Sequence, residues 1–129
     1  MPDQQPLFDA IRRYFDLMYS GDVSRFDKVF YPSFQMHGFI DGEMRCATAE
    51  RYREVMAAQP SPQSLNAVRD DAVQLVDFAS DTQALAKVQV RINRTIYIDY
   101  LIFHYVDGEW RVTSKAYHTL TTDAEGAGT

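Results

Sequence analysis

The sequence predicts an α+β domain in which three N-terminal helices pack on one face of a curved antiparallel sheet. Three observations carry that expectation. Leu7, Phe8, Ile11, Tyr14, Phe15, Met18 and Tyr19 recur at spacings of three and four, which lines them up as one apolar stripe along a helix. From residue 65 the period changes to two, with strands expected near 65–77, 82–92, 95–106 and 109–120. The links between these strands are short and turn-forming: Ala79-Ser80-Asp81, Asn93-Arg94 and Asp107-Gly108. Asp-Gly between two β-rich runs is a strong hairpin signal. Helices first and a meander after is the order of a domain with its helices on one face.

Taken in order, Ser20-Gly21 stops the first helix, and Asp22 is placed to cap a shorter second helix through Phe30. Pro32 ends helical geometry. Residues 33–40 alternate loosely, with Phe34, Met36 and Gly38 on one side and Gln35, His37 and Phe39 on the other. That reads as a short strand closed by an Asp41-Gly42 turn. Thr48 caps a third helix whose apolar face is Tyr52, Val55 and Met56, and Pro60 and Pro62 close it. The reading is a single domain over 1–129, ordered over about 6–120, with 121–129 (LTTDAEGAGT less its first residue) as a mobile tail.

Composition narrows the function classes. The chain has 129 residues, of which 46% are hydrophobic and 13% aromatic, too many for a solvated polymer. A net charge of −5 argues against nucleic acid, whose phosphates call for clustered Lys and Arg. No apolar run approaches the roughly 20 residues of a spanning helix, so no membrane partner is expected. The start, MPDQQPLFDAIRR, offers Asp3 and two prolines where an export signal needs a basic and then an apolar stretch. Cys46 is the sole cysteine, so no internal disulfide forms, and a cytoplasmic home is expected. No ligand-spaced Cys/His set and no glycine-rich phosphate loop is present, so neither metal nor cofactor is expected.

Two-residue loops fix register, so the last three strands can be aligned from sequence. About Asp107-Gly108, Tyr105 pairs with Trp110, Phe103 with Val112, Leu101 with Ser114, Asp99 with Ala116 and Tyr97 with His118. About Asn93-Arg94, Val90 pairs with Tyr97, Val88 with Asp99, Ala86 with Leu101 and Ala84 with Phe103. Both hairpins place Asp99, Tyr97, Ser114 and His118 on the face that meets the helices, among small residues such as Ala86 and Ala116. A carboxylate there is costly without a partner. The opposite face carries Ile96, Ile98, Tyr100, Ile102 and Tyr117, with Arg91 and Lys115 at its rim. That patch is large for a solvent face and suits a sheet-to-sheet homodimer.

The helix–helix–strand–helix–sheet order resembles the nuclear transport factor 2-like (cystatin-like) fold. Specific segments sharpen the resemblance: Gly21-Asp22, Phe30-Tyr31-Pro32, Asp81-Thr82-Gln83-Ala84, Asp99-Tyr100-Leu101, and Asp107-Gly108-Glu109-Trp110-Arg111-Val112 with Ser114-Lys115. They resemble the family described as "putative lumazine-binding", over about residues 6–120. Tyr31 stands where that family often has His, and Ser114 where Asn is usual, so polar contacts at those two positions are not carried over. The resemblance implies a cone-shaped sheet closed by helices over a pocket, usually in a dimer. It does not imply one activity, because the superfamily includes ketosteroid isomerases, SnoaL-like polyketide cyclases, dehydratases and non-catalytic modules.

Asp99 is the first candidate for chemistry, since an apolar surround suits a carboxyl to proton transfer. His118 is the second, as a neutral-range acid or base. Tyr14, Met18, His37, Tyr97 and Ser114 are the expected ligand contacts, Tyr14 because its hydroxyl can reach towards Asp99. The expected ligand is a small apolar or aromatic molecule with one or two polar handles. Two functions stay open: a cofactor-free isomerase, dehydratase or cyclase using Asp99, or a non-catalytic dimerisation or interaction module whose pocket is filled.

Overall fold

A computed structural model describes residues 3–122. Helix α1 (Gln5–Ser20) buries Leu7, Ala10, Ile11, Tyr14, Phe15, Leu17 and Met18, the inner part of the apolar stripe. Asp22 caps a 3-10 turn at Val23–Arg25 by accepting the Ser24 N–H, and only then does the short helix α2 (Phe26–Val29) form. Strand β1 (Phe30–Ile40) starts three residues earlier than expected. Pro32 is tolerated in it because pairing with its neighbour is interrupted between Phe30 and Gln35.

The Asp41-Gly42 turn returns into a strand the sequence reading lacked, β2 (Glu43–Thr48). Both turn residues have positive φ, the primed-turn geometry that matches strand twist. Thr48 accepts the Arg51 N–H and caps α3 (Ala49–Ala58). Four strands follow: β3 (Asp71–Phe78), β4 (Gln83–Ile92), β5 (Thr95–Val106) and β6 (Glu109–Thr122). Strand β3 begins at Asp71 rather than 65, because residues 62–66 are folded into turns. Residues 121–122, expected in the tail, continue β6 and pair with β5. The rest of that expected tail, 123–129, lies outside the described residues.

The six strands form one sheet in the order β2-β1-β6-β5-β4-β3. All neighbours are antiparallel except β1 and β6, which run parallel. The helices cover one face. There, Ala84, Ala86, Val88, Val90, Leu101, Phe103, Trp110 and Val112 are buried against α1 and the aromatic cluster of Phe26, Phe30, Phe34 and Tyr52.

The β4–β5 register matches the pairing derived from the Asn93-Arg94 loop throughout. The β5–β6 register matches only from the turn to Phe103↔Val112. Thr113 is then an extra residue, so Ile102 pairs with Ser114, Leu101 with Lys115, Asp99 with Tyr117 and Tyr97 with Thr119. The Thr113 hydroxyl donates to the Ile102 carbonyl at 3.4 Å and sits 2.6 Å from His104 Nδ1, which occupies polar groups at the bulge.

One inserted residue exchanges the faces of the residues beyond it as far as Thr119, after which a second shift falls between Ile96 and Tyr97. Lys115 and Tyr117 turn inward, while Ser114, Ala116 and His118 turn outward. Lys115 is 5% exposed and Ala116 and His118 are exposed. The expected outer positions of Lys115 and Tyr117 and the expected inner positions of Ser114 and His118 are thereby corrected. Ile96, Ile98, Tyr100 and Ile102 remain on the outer face, with Tyr100 exposed.

Candidate functional site

Beneath α1 the sheet carries a buried chain of polar groups. Asp99, from the middle of β5, is 1% exposed. The Tyr14 hydroxyl, pointing down from α1, donates to its Oδ2 at 2.5 Å. Lys115 Nζ, from β6, lies 3.7 Å from the same oxygen, an ion pair without a hydrogen bond. Lys115 donates instead to the Tyr52 hydroxyl at 3.2 Å, and that hydroxyl donates to Met18 Sδ at 3.4 Å. The ammonium also lies over the Tyr14 and Tyr52 rings, 5.3 Å and 5.0 Å from their centroids. Asp99 Oδ1 has no hydrogen-bond partner.

The electrostatics follow from burial and adjacency. Burial, and next the Asp99 charge, hold the Tyr14 phenol well above its ordinary range, so it stays a donor. Burial is the largest influence on Lys115 and pulls its ammonium down. The Asp99 carboxylate and then Tyr52 outweigh that and leave it raised. Burial also raises Tyr97, against a lowering influence from Lys115. Taking two opposite charges out of water costs several kcal/mol per ion before their attraction offsets it. Such a pair adds little to stability, and perturbed titratable groups of this kind concentrate at functional sites.

The remaining expected residues separate by face. Tyr97 is on the inner face, half-buried, with its ring edge-on to Tyr117 at 6.2 Å. Gly38 of β1 is opposite Tyr117. A Cβ at Gly38 would come within 2.5 Å of that ring, so the aromatic lies against bare backbone. Met18 is buried at the end of the polar chain. His37 pairs with Cys46 and Ala116, which puts it on the outer face and away from the expected mouth. Asp99, Tyr14, Met18 and Tyr97 are therefore brought together, whereas Ser114, His118 and His37 are not.

Sequence reasoning missed Lys115 and Tyr52. The available signal for Lys115 was the rule that a buried carboxylate needs a partner, with a cation one residue out of register. Tyr52 read only as part of an apolar stripe, which it also is. The structure adds a cleft of about 90 Å³ that shares Met18 and Tyr52 with the polar chain and is otherwise walled by Leu17, Val55, Met56 and Ile92, among others. This is smaller than the pocket expected between helices and sheet. Among the described residues no group of three or more His, Cys, Asp or Glu side chains is gathered that could hold a metal ion. No helix among them is long and apolar enough to cross a membrane.

Comparisons with known proteins give the family from one match and the fold from several. The model of the family described as "Putative lumazine-binding" matches residues 3–118. A curated relative, Aldolase FrzH of Cladobotryum sp., is 27% identical over 108 residues, covering 82% of each chain. An NTF2-like protein of unknown function from Shewanella baltica superposes with a TM-score of 0.77 at 20% identity, over 92% of this chain and 94% of that one. A ketosteroid isomerase-like protein from Erwinia carotovora atroseptica gives 0.74 at 10% identity, over 94% and 99%. The fold is NTF2-like, as the sequence resemblance implied.

Proposed function

Because this chain belongs to the "Putative lumazine-binding" family, we propose that it binds a small, mostly apolar molecule between helices and sheet and transfers a proton at a carbonyl-like group. Asp99 is the acid or base. The observation that carries this reading is the division of labour on its carboxylate: Tyr14 and Lys115 hold Oδ2, while Oδ1 is buried with nothing bound to it. A buried carboxylate oxygen with a free lone pair, beside an ammonium, can take a proton α to a carbonyl while the positive charge steadies the enolate oxygen. Lys115 and Tyr52, in place of Ser114 and His118, are the polar groups beside Asp99. The name of the curated relative, an aldolase, supports the reaction class, since aldol chemistry begins with loss of such a proton.

The test is exchange. Wild-type protein, incubated in D2O with a panel of cyclic and aryl ketones, is expected to exchange the α-protons of at least one of them. Asp99→Asn, checked for folding by circular dichroism, is expected not to. Absence of exchange by the wild type across the panel contradicts the catalytic part of the reading.

A second reading draws on how Tyr14, Asp99, Lys115 and Tyr52 pack together beside a cleft of only about 90 Å³: the interior is filled, and the protein works by association. The surface it would use is the outer face of Ile96, Ile98, Tyr100 and Ile102, with a second copy as partner. Sedimentation at micromolar concentration is expected to give a dimer for the wild type and a monomer for Ile98→Lys. A wild-type monomer removes this interface from the account.

A further inference from the structure

We infer that Tyr52 is the ligand-contacting donor of this site, and that the Met18 thioether occupies the position of a carbonyl oxygen belonging to a small apolar ligand. The inference rests on the reading that the space between helices and sheet takes a small molecule. It adds the route of approach, a polar group met along it, and the chemistry that group selects.

The Tyr52 hydroxyl sits between a charged donor and a weak acceptor. Its oxygen accepts from the Lys115 ammonium at 3.2 Å, and its proton is given to Met18 Sδ at 3.4 Å. A hydroxyl whose oxygen already accepts from a charged donor is polarised towards giving its own proton. A thioether sulfur is among the weakest acceptors in a protein. A polarised donor is thus spent on a poor acceptor. A carbonyl or enolate oxygen at the sulfur's position would make the better bond.

The position is reachable. Tyr52 is 9% exposed and, with Met18, lines the 90 Å³ cleft. A water occupies roughly 30 Å³ of liquid, so the cleft admits the head of a ligand, not a whole one of ordinary size. Its flexible walls are Met18 and Met56, whose unbranched side chains turn with little cost. Leu17, Val55 and Ile92 add apolar wall, and Gln59, Ser61 and Asn93 also line the cleft. Rotation of Met18 would both open the cleft and release the Tyr52 proton. The ligand this selects has a hydrogen-bond-accepting oxygen on a mostly apolar body.

The experiment uses protein labelled with 13C at the methionine methyls and two probes of nearly the same shape, cyclopentanone and methylenecyclopentane. In the wild type, cyclopentanone is expected to shift the Met18 methyl resonance saturably and to bind at least about fivefold more tightly than the alkene, the ratio one net hydrogen bond supplies. In Tyr52→Phe the ratio is expected to fall to about one. Met18→Leu keeps the bulk and removes the competing acceptor, so cyclopentanone, followed at the Met56 methyl, is expected to bind more tightly.

Equal binding of the two probes by the wild type would overturn the inference. So would a preference that survives in Tyr52→Phe, weaker ketone binding by Met18→Leu, or no saturable shift with either probe. Its failure is separable from that of the proposed function. Tyr52-dependent binding without α-proton exchange keeps the carbonyl cleft and removes the Asp99 chemistry. Exchange without Tyr52 dependence does the reverse.

Discussion

The two ends of the β5–β6 ribbon share a face, a pair of strands and a helix above them, yet differ in kind. Near the Asp107-Gly108 turn the inner residues are Phe103, Trp110 and Val112, all buried, with Trp110 edge-on to Phe78 at 5.9 Å. Each such side chain contributes about 1.5–3 kcal/mol by leaving water. Further from the turn, the same face carries Asp99 and Lys115 under two phenols. What separates them is Thr113. Without that inserted residue the far end would present Ser114, Ala116 and His118 to the helices. The lesson is that a single bulge decides which β6 side chains join Asp99 beneath the helices, an ammonium and a phenol instead of a hydroxyl and an imidazole.

Deleting Thr113 should break this division outright. Lys115 and Tyr117 would rotate outward, leaving Asp99 buried without its cation, and we expect a loss of about 5 kcal/mol in urea unfolding. Lys115→Met, which removes the cation alone, should cost about 3–4 kcal/mol. The double variant Lys115→Met/Asp99→Leu should recover most of that loss or exceed the wild type, because apolar side chains carry no desolvation cost. If the double variant is no better than the single one, the Lys115–Asp99 pair does not carry the desolvation cost assigned to it.

Smaller effects sharpen the comparison. Gly38→Ala would press a methyl against the Tyr117 ring and should cost about 2 kcal/mol. Tyr117→Ala in the same chain should relieve the clash. The smallest effect separates the two ends by pH. Tyr14 and Lys115 both have raised pKa values in the folded chain, so the folded state holds protons that the unfolded state gives up first. Their contribution is complete below the unfolded values, about 10 for Tyr and 10.4 for Lys, and is lost as pH rises towards the folded ones. Stability should therefore fall by about 1 kcal/mol between pH 9 and 10.5. Tyr14→Phe should flatten that slope. Phe103→Ala, at the apolar end, should lower stability at every pH and leave the slope unchanged.

Much of this was legible in the sequence, and the limits have physical causes. Turn chemistry set the β4–β5 register and so placed Asp99 on the inner face, and helical spacing placed Tyr14 above it. The bulge left no mark, because Thr113 and Ser114 are both compatible with a regular strand and neither Gly nor Pro signals an insertion there. Lys115 and His118 were exchanged for that reason alone. Strand β2 was invisible because it is an exposed edge strand at which no core imposes a period of two. The small volume of the cleft depends on the rotamers of Met18, Tyr52 and Met56, which no pattern of residue types encodes.

The most direct test of the central claim is a side-chain NOE experiment at Lys115. The account predicts cross-peaks from the Lys115 ε-methylene protons to the ring protons of Tyr14 and Tyr52, with the Ala116 methyl close to Tyr100 on the outer face. Cross-peaks from the Ala116 methyl to Val88 or Tyr14, with none from Lys115 to either ring, would restore the ungapped register and contradict the site.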